Sequence, residues 1–335
     1  MTIATLLKPA MTMIPQRAIR RIANAPKQRE GGGFVVRRPI GGAQGYCDPF
    51  LMLDHFGPVT YGPGEAIGAP SHPHRGFETV TYMLKGSGMH KDSHGNSGLL
   101  KDGWVQWMTA GSGIVHSEMP SPEILEKGGT SEGFQMWVNL PAKDKMTDPK
   151  YQDTPPEAMP EMESENVFIK VIAGSATLEE KTETSPIETR FPILLLDVRL
   201  KAGASHDITF SSAMEGFVYA YRGQGKVNGE TIEEGQAALL DKSTDDEGEE
   251  LIRVESAKDQ EFRVLVACGQ PLREPIAQHG PFVMNTREEI IQAIRDYNSG
   301  DFGTIDGGDE EMKQVQRARM AQKMSGRWDQ DQKEL

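Results

Sequence analysis

The sequence predicts an all-β protein of two tandem barrels followed by a C-terminal helix. Three observations lead there. Glycine (36 residues) and proline (21) are abundant, which favours short strands joined by turns over a helical bundle. Apolar runs of strand length, rich in β-branched and aromatic residues, recur in two series. A proline-rich stretch separates the two series, and a length of 335 residues suits about two domains.

The elements follow in order. Residues 1–33 read as a basic arm ending in the flexible run Gly31-Gly32-Gly33. Residues 1–40 hold eight Lys or Arg and a single acid, Glu30. A transit peptide also fits an acid-poor, Arg-bearing start, but an arm lying on an acidic body is the more economical reading. Residues 34–140 form the first β domain, from Phe34-Val35-Val36 through runs such as Thr79-Val80-Thr81-Tyr82-Met83-Leu84 and Phe134-Gln135-Met136-Trp137-Val138. Residues 141–165 read as a linker, because Pro141, Pro149, Pro155, Pro156 and Pro160 bar that stretch from a sheet interior. Residues 166–285 form the second β domain, beginning at Val167-Phe168-Ile169 and punctuated by turns such as Asn228-Gly229. In residues 286–335, Thr286 followed by Glu289 gives a capping-box start to an amphipathic helix. Residues 309–325 are charged and suit a second helix or an ordered tail.

Composition narrows the function classes. A net charge of −13 is unfavourable for direct nucleic-acid binding. No apolar stretch approaches the ~20 residues of a membrane span, and no secretory pattern is present. Cys47 and Cys268 lie far apart, at no spacing that suits a metal clip or redox pair, as expected for free thiols in the cytoplasm.

Six of the eight histidines fall between His55 and His116. In a strand, residues i and i+2 share a face. Ser71-His72-Pro73-His74 therefore projects two imidazoles side by side. His116-Ser117-Glu118 does the same with an imidazole and a carboxylate. A lone His-X-His is often a surface accident, but two such pairs in Gly-rich β contexts converge on a metal site. Such a site suits one divalent ion: Fe(II) first, with Mn, Ni, Zn, Cu or Co as alternatives. Glu78 stands at i+4 from His74, so strict alternation makes it a rival to Glu118, unless a bulge at Gly76 breaks the parity. Spacing leaves that choice open. His55 is a candidate pocket residue, and His90 and His94 flank a turn-like segment. Trp104, Trp107 and Trp137 read as barrel core, with Met108 and Met136 as further apolar wall for a flat ligand.

These motifs carry a resemblance. Gly68 through Glu78 resembles the first cupin motif, and Gly113-Ile114-Val115-His116 the second. The chain is more similar to the pirin family of bicupins. The similarity lies in Asp48-Pro49-Phe50-Leu51, His72-Pro73-His74-Arg75-Gly76-Phe77-Glu78-Thr79, Gln106-Trp107-Met108-Thr109-Ala110-Gly111, His116-Ser117-Glu118-Met119-Pro120, Trp137-Val138-Asn139-Leu140-Pro141-Ala142 and Gly280-Pro281-Phe282-Val283-Met284-Asn285-Thr286. It spans about residues 17–303. It implies two cupin (double-stranded β-helix) barrels, with metal held in the first by His72, His74, His116 and Glu118. Glu78 then becomes a supporting residue behind a ligand. One departure is Gly111-Ser112-Gly113, where a basic residue is expected in the middle. In the second domain Gly203-Ala204-Ser205-His206-Asp207 is only a remnant, with no partner histidine until His279, and no metal is expected there.

The resemblance also implies a function. Pirin-like sites are similar to those of quercetin 2,3-dioxygenases, which open the heterocyclic ring of flavonols with dioxygen. A flat aromatic substrate would lose its hydroxyl proton to Glu118, or alternatively to Glu78. The alternative is an iron-dependent regulatory protein that modulates a transcription factor or metabolic enzyme through protein contacts. A metal-dependent isomerase or sugar-binding cupin is a third reading, which the pirin-specific stretches disfavour.

Overall fold

Side-chain alternation along the strand Phe77–Lys85 sets out how the fold is layered. Val80 and Tyr82 point into a core shared between two barrels, while Thr81 and Met83 face the interior of the first. The computed structural model describes residues 14–243 and 247–335. The first thirteen residues, and with them part of the predicted arm, lie outside the described residues.

The first barrel closes a seven-stranded sheet over a four-stranded one. The larger runs Lys150–Thr154, Val105–Thr109, Phe77–Lys85, Gly129–Asn139, Phe50–Tyr61, Phe34–Ile40 and Lys27–Glu30. The smaller runs Ala69–His74, Ile114–Pro120, Gly88–Asp92 and Ser97–Leu100. The second barrel centres on Ile193–Leu200, Glu215–Val227 and Phe262–Gly269. Its interior is filled by aliphatic side chains, among them Leu196, Val198, Val218, Val254, Val264 and Val266. The two barrels meet through Phe50, Trp107 and Phe134 on one side and Phe217, Tyr219 and Leu265 on the other. Within that interface the buried Asp197 accepts hydrogen bonds from Tyr82 (2.8 Å), Tyr221 (2.5 Å) and Arg199 (2.7 Å). These satisfy a charge that would be costly alone.

Two predicted boundaries change. The arm, where it is described, lies on the body as strands of its sheets. Ile19–Asn24 pairs antiparallel with Gln236–Leu240 of the second barrel, and Lys27–Glu30 pairs with Phe34–Ile40 of the first. Ile19 and Ile22 pack on the second core. Gly31-Gly32-Gly33 is a tight turn, not a flexible run: a Cβ on Gly32 would sit 2.4 Å from the Gly68 carbonyl oxygen. The proline-rich stretch also contributes to sheets. Lys150–Thr154 pairs with Val105–Thr109, and Glu161–Glu163 with Val167–Ala173. The prolines stand just outside these outer strands, where no ladder hydrogen bond is lost.

The C-terminal segment forms helices Arg287–Ser299, Gly308–Ser325 and Arg327–Glu334. The first starts on the predicted capping box of Thr286 and Glu289. Together they cover the outer face of the four-stranded sheet. Val115 packs with Ile290, Ala293 and Phe302, and Met119 with Val315 and Ala318. Among the described residues, no helix is long and apolar enough to cross a membrane.

Candidate metal centre

Ala69–His74 and Ile114–Pro120 pair antiparallel, with His116 directly opposite His72. Opposed residues share a face, so these imidazoles meet, and parity brings His74 and Glu118 to the same side. The ladder slips between His116 and Glu118, so that Glu118 lies opposite Ala69. The extra residue falls beside Pro70, which has no N–H to give the ladder. One nitrogen from each of His72, His74 and His116 lies within 4.8 Å of the others. His72 Nε2 and His116 Nε2 are 3.0 Å apart, and Glu118 Oε2 is 3.9 Å from His116 Nε2.

The protonation pattern suits a cation. His72 Nδ1 donates to the Pro70 carbonyl at 2.8 Å, and its Nε2 faces His116. Burial, with the His72 ring adding to it, holds His74 and His116 well below the usual imidazole range, so both are neutral. Among the described residues, the buried Nδ1 of His116 has no hydrogen-bond partner. Three carboxylates surround the cluster: Asp92, Glu118 and Glu311. None has a Lys or Arg partner among the described residues; their acceptors are met by neutral donors. Asp92 takes the His94 and Asn96 amides and the Asn96 side chain. Glu118 takes Gln135 Nε2 on both oxygens at 2.8 Å, and Thr81 Oγ1 at 3.3 Å. Glu311 takes the Ser71 amide and the Ser117 hydroxyl. Three imidazoles with converging ring nitrogens, two of them buried and neutral, set among carboxylates without a Lys or Arg partner among the described residues, fit a divalent ion.

Glu78 does not join them. Its strand starts after Gly76, which has φ +87° where the chain passes from the four-stranded sheet to the seven-stranded one. Parity is lost there, and Glu78 falls on the face of Val80 and Tyr82. Its Oε1 accepts from Thr109 at 2.6 Å, burial raises its pKa, and no hydrogen bond links it to an imidazole among the described residues. His55 likewise turns away: its Nδ1 lies 3.1 Å from Tyr219 Oη in the second barrel. His94 is an exposed turn residue, whereas His90 is a buried strand residue opposite Glu118, 3.1 Å from Asp153 and stacked on Tyr151.

The cluster opens on a cavity of about 690 Å³. Phe34, Phe56, Val59, Met83 and Met119 give it apolar walls, and Trp137 stands with its ring 5.3 Å from that of His74. Trp104, Trp107, Met108 and Met136 do not line it. One polar patch does: Arg38 holds Asp54 with two 2.6 Å bonds and Glu30 at 2.8 Å. Burial pushes the Asp54 carboxyl up to about 6 despite Arg38. The mouth carries Tyr46, whose hydroxyl donates to Gln278 at 2.5 Å. Sequence reasoning missed Gln135, Thr81, Arg38, Asp54 and Glu311. The one local signal was Gln135, a polar residue facing inward from an apolar strand. At Ser112, where a basic residue was expected, the backbone carbonyl accepts from Arg75 Nε at 2.6 Å.

Comparison with known proteins fits this geometry. The pirin family model matches residues 33–138, and the model of the pirin C-terminal cupin domain matches residues 195–303. Pirin from Homo sapiens is 40% identical over 283 residues, covering 83% of this chain and 91% of that protein. A pirin-like protein from Solanum lycopersicum is 40% identical over 290 residues, covering 86% and 94%. The crystal structure of quercetin 2,3-dioxygenase from Acinetobacter baumannii superposes with a TM-score of 0.78 at 37% identity, covering 87% of this chain and 99% of that one. The two β-barrels are cupin barrels, and the chain belongs to the pirin family.

Proposed function

We propose that this protein is a metal-dependent dioxygenase of the quercetin 2,3-dioxygenase type, with one divalent ion, Fe(II) first, held by His72, His74, His116 and Glu118. The observation that carries the reading is the convergence of three imidazoles, with the Glu118 carboxylate beside them, at the wall of a mainly apolar cavity that His72, His74 and Glu118 line. Bound there, a divalent ion supplies Lewis-acid chemistry and open coordination positions. The chain's own residues do the rest.

Apolar walls such as Phe34, Phe56 and Met83 accept a flat aromatic ring and exclude water from it. Trp137 fixes the plane of His74 from one side and Phe77 from another, with ring centroids 5.3 and 5.0 Å away. Glu118 is the group placed to take the proton of a flavonol hydroxyl. Gln135 and Thr81 hold its carboxylate on one flank while His116 lies 3.9 Å away on the other, so a small rotation moves it between ligand and base. Glu78, on the opposite face of its strand, has no part in that transfer. The reaction then consumes dioxygen, opens the heterocycle and releases carbon monoxide.

The test is an aerobic quercetin assay on protein loaded with a defined metal. Loss of the flavonol absorbance band under air but not under nitrogen, abolished in Glu118→Gln, is expected. Metal-loaded protein that bleaches quercetin in neither atmosphere refutes the enzymatic reading and favours the regulatory one.

A further inference from the structure

We infer that Glu311 is a positioning residue for the metal ligands, and that it couples the C-terminal helix Gly308–Ser325 to metal binding. The inference rests on the metal assignment above. The helix lies beyond residue 303, where the match to the family's C-terminal model ends.

Glu311 is a buried carboxylate with 8% of its surface exposed. Its Oε2 accepts from the backbone N–H of Ser71 at 3.1 Å, and its Oε1 from the hydroxyl of Ser117 at 2.8 Å. Ser71 precedes His72 and Ser117 follows His116. By strand alternation both serines face away from the imidazoles. Glu311 therefore clasps, from the outer face, the two strands whose histidines converge on the inner face. Among the described residues no Lys or Arg compensates it, so across one sheet it adds negative potential where a cation would sit. The helix that carries it is firmly docked. Val315 and Ala318 pack on Met119, and Gln322 Nε2 donates to the Glu65 carbonyl at 2.9 Å.

Two effects follow. Holding Ser71 and Ser117 fixes the separation of the ligand strands, and the uncompensated charge raises affinity for a dication. Linkage is reciprocal, so a bound cation must in turn strengthen docking of the helix.

The test titrates the metal-free full-length protein with Ni(II) by calorimetry. It compares the wild type with Glu311→Gln, Ser117→Ala and the exposed control Glu310→Gln. Glu311→Gln keeps the side-chain shape and removes the charge, and is expected to weaken Ni(II) binding on the order of 10-fold. Ser117→Ala is expected to lose less, and Glu310→Gln to match the wild type. Ni(II) is also expected to slow amide exchange across the helix in the wild type and to do so less in Glu311→Gln. A merely structural role would lower stability without moving the Ni(II) Kd. Unchanged Kd in both Glu311→Gln and Ser117→Ala overturns the inference. If Glu311→Gln does not fold, Ser117→Ala, which deletes one hydroxyl, decides alone. A wild type that binds no Ni(II) instead removes the metal assignment, and this inference with it.

Discussion

Acidification of the metal-free protein from about pH 7.5 to about pH 5.5 probes the imidazole cluster directly. His74 and His116 are fully buried, and burial is the first cause of their depressed pKa, with neighbouring imidazoles adding to it. In the folded chain they stay neutral as the pH falls. In the unfolded chain each takes up a proton as the pH passes through the ordinary value of 6.5. The unfolded state then binds more protons than the native one, so stability is retained above that value and is lost as the pH drops below it. One unit below, the loss is roughly 1 kcal/mol per imidazole and roughly 2 to 3 kcal/mol for the two. Urea unfolding of chelator-treated protein, followed by tryptophan fluorescence, measures it. The comparison is His74→Gln/His116→Gln, which deletes both titrations and leaves every other histidine in place. Wild type is expected to lose roughly 2 to 3 kcal/mol more than this variant over that interval. Saturating Ni(II) binds only the native form and adds about 3 kcal/mol near neutrality at a hundredfold excess over Kd. That gain shrinks with acidification as protons compete for the lone pairs. Parallel pH dependence in the wild type and the double variant would refute the argument that these rings are buried neutral.

Other outcomes follow from the same geometry. Elemental analysis is expected to find about one metal per chain in the wild type and in His206→Ala, and none in His74→Ala; the reverse pattern contradicts the ligand assignment. Gln135→Leu removes the donor that holds both Glu118 oxygens, and is expected to cost roughly 10-fold or more in Ni(II) affinity or quercetin turnover while the unfolding midpoint moves little. Lys145, 1% exposed, donates to the Gly76 and Val283 carbonyls and to Asn139 Oδ1 at 2.7–3.0 Å. Lys145→Met strands these acceptors beside the turn that carries His74, and is expected to lower stability by roughly 3 kcal/mol in thermal or urea unfolding. A loss below the noise of the measurement would contradict that accounting.

Much of the site was legible because it is local. His72 with His74, and His116 with Glu118, obey a period of two within single strands, which a sequence displays directly. The same arithmetic failed for Glu78 because it was carried across Gly76, where φ of +87° takes the chain into a different sheet. Parity counts residues within one strand and says nothing across a break. The strands inside the arm and the linker went unread for a related reason. Basic residues and prolines describe the surface of a segment, whereas the ladder that captures it comes from elsewhere. Ile19 pairs with Leu240, and Tyr151 with Met108. Neither partner is visible in a local window, although Ile19 and Ile22 already carry the apolar spacing the second barrel uses.

The same division runs through the chemistry. The residues suited to hold a cation are nearby pairs in sequence, but the groups that set how they behave are remote. Gln135 orients Glu118 from 17 residues away, and Glu311 reaches Ser117 across 194. Asp54 and Arg38 place the cavity's polar patch from strands that hold none of the four candidate ligands. A chain keeping only the two short motifs would retain the candidate ligands while losing the hydrogen bonds that aim Glu118 and the helix that clasps the histidine strands. Metal affinity is therefore expected to vary among pirin-like chains with the residues at positions such as 135 and 311, even where the four candidate ligands are unchanged.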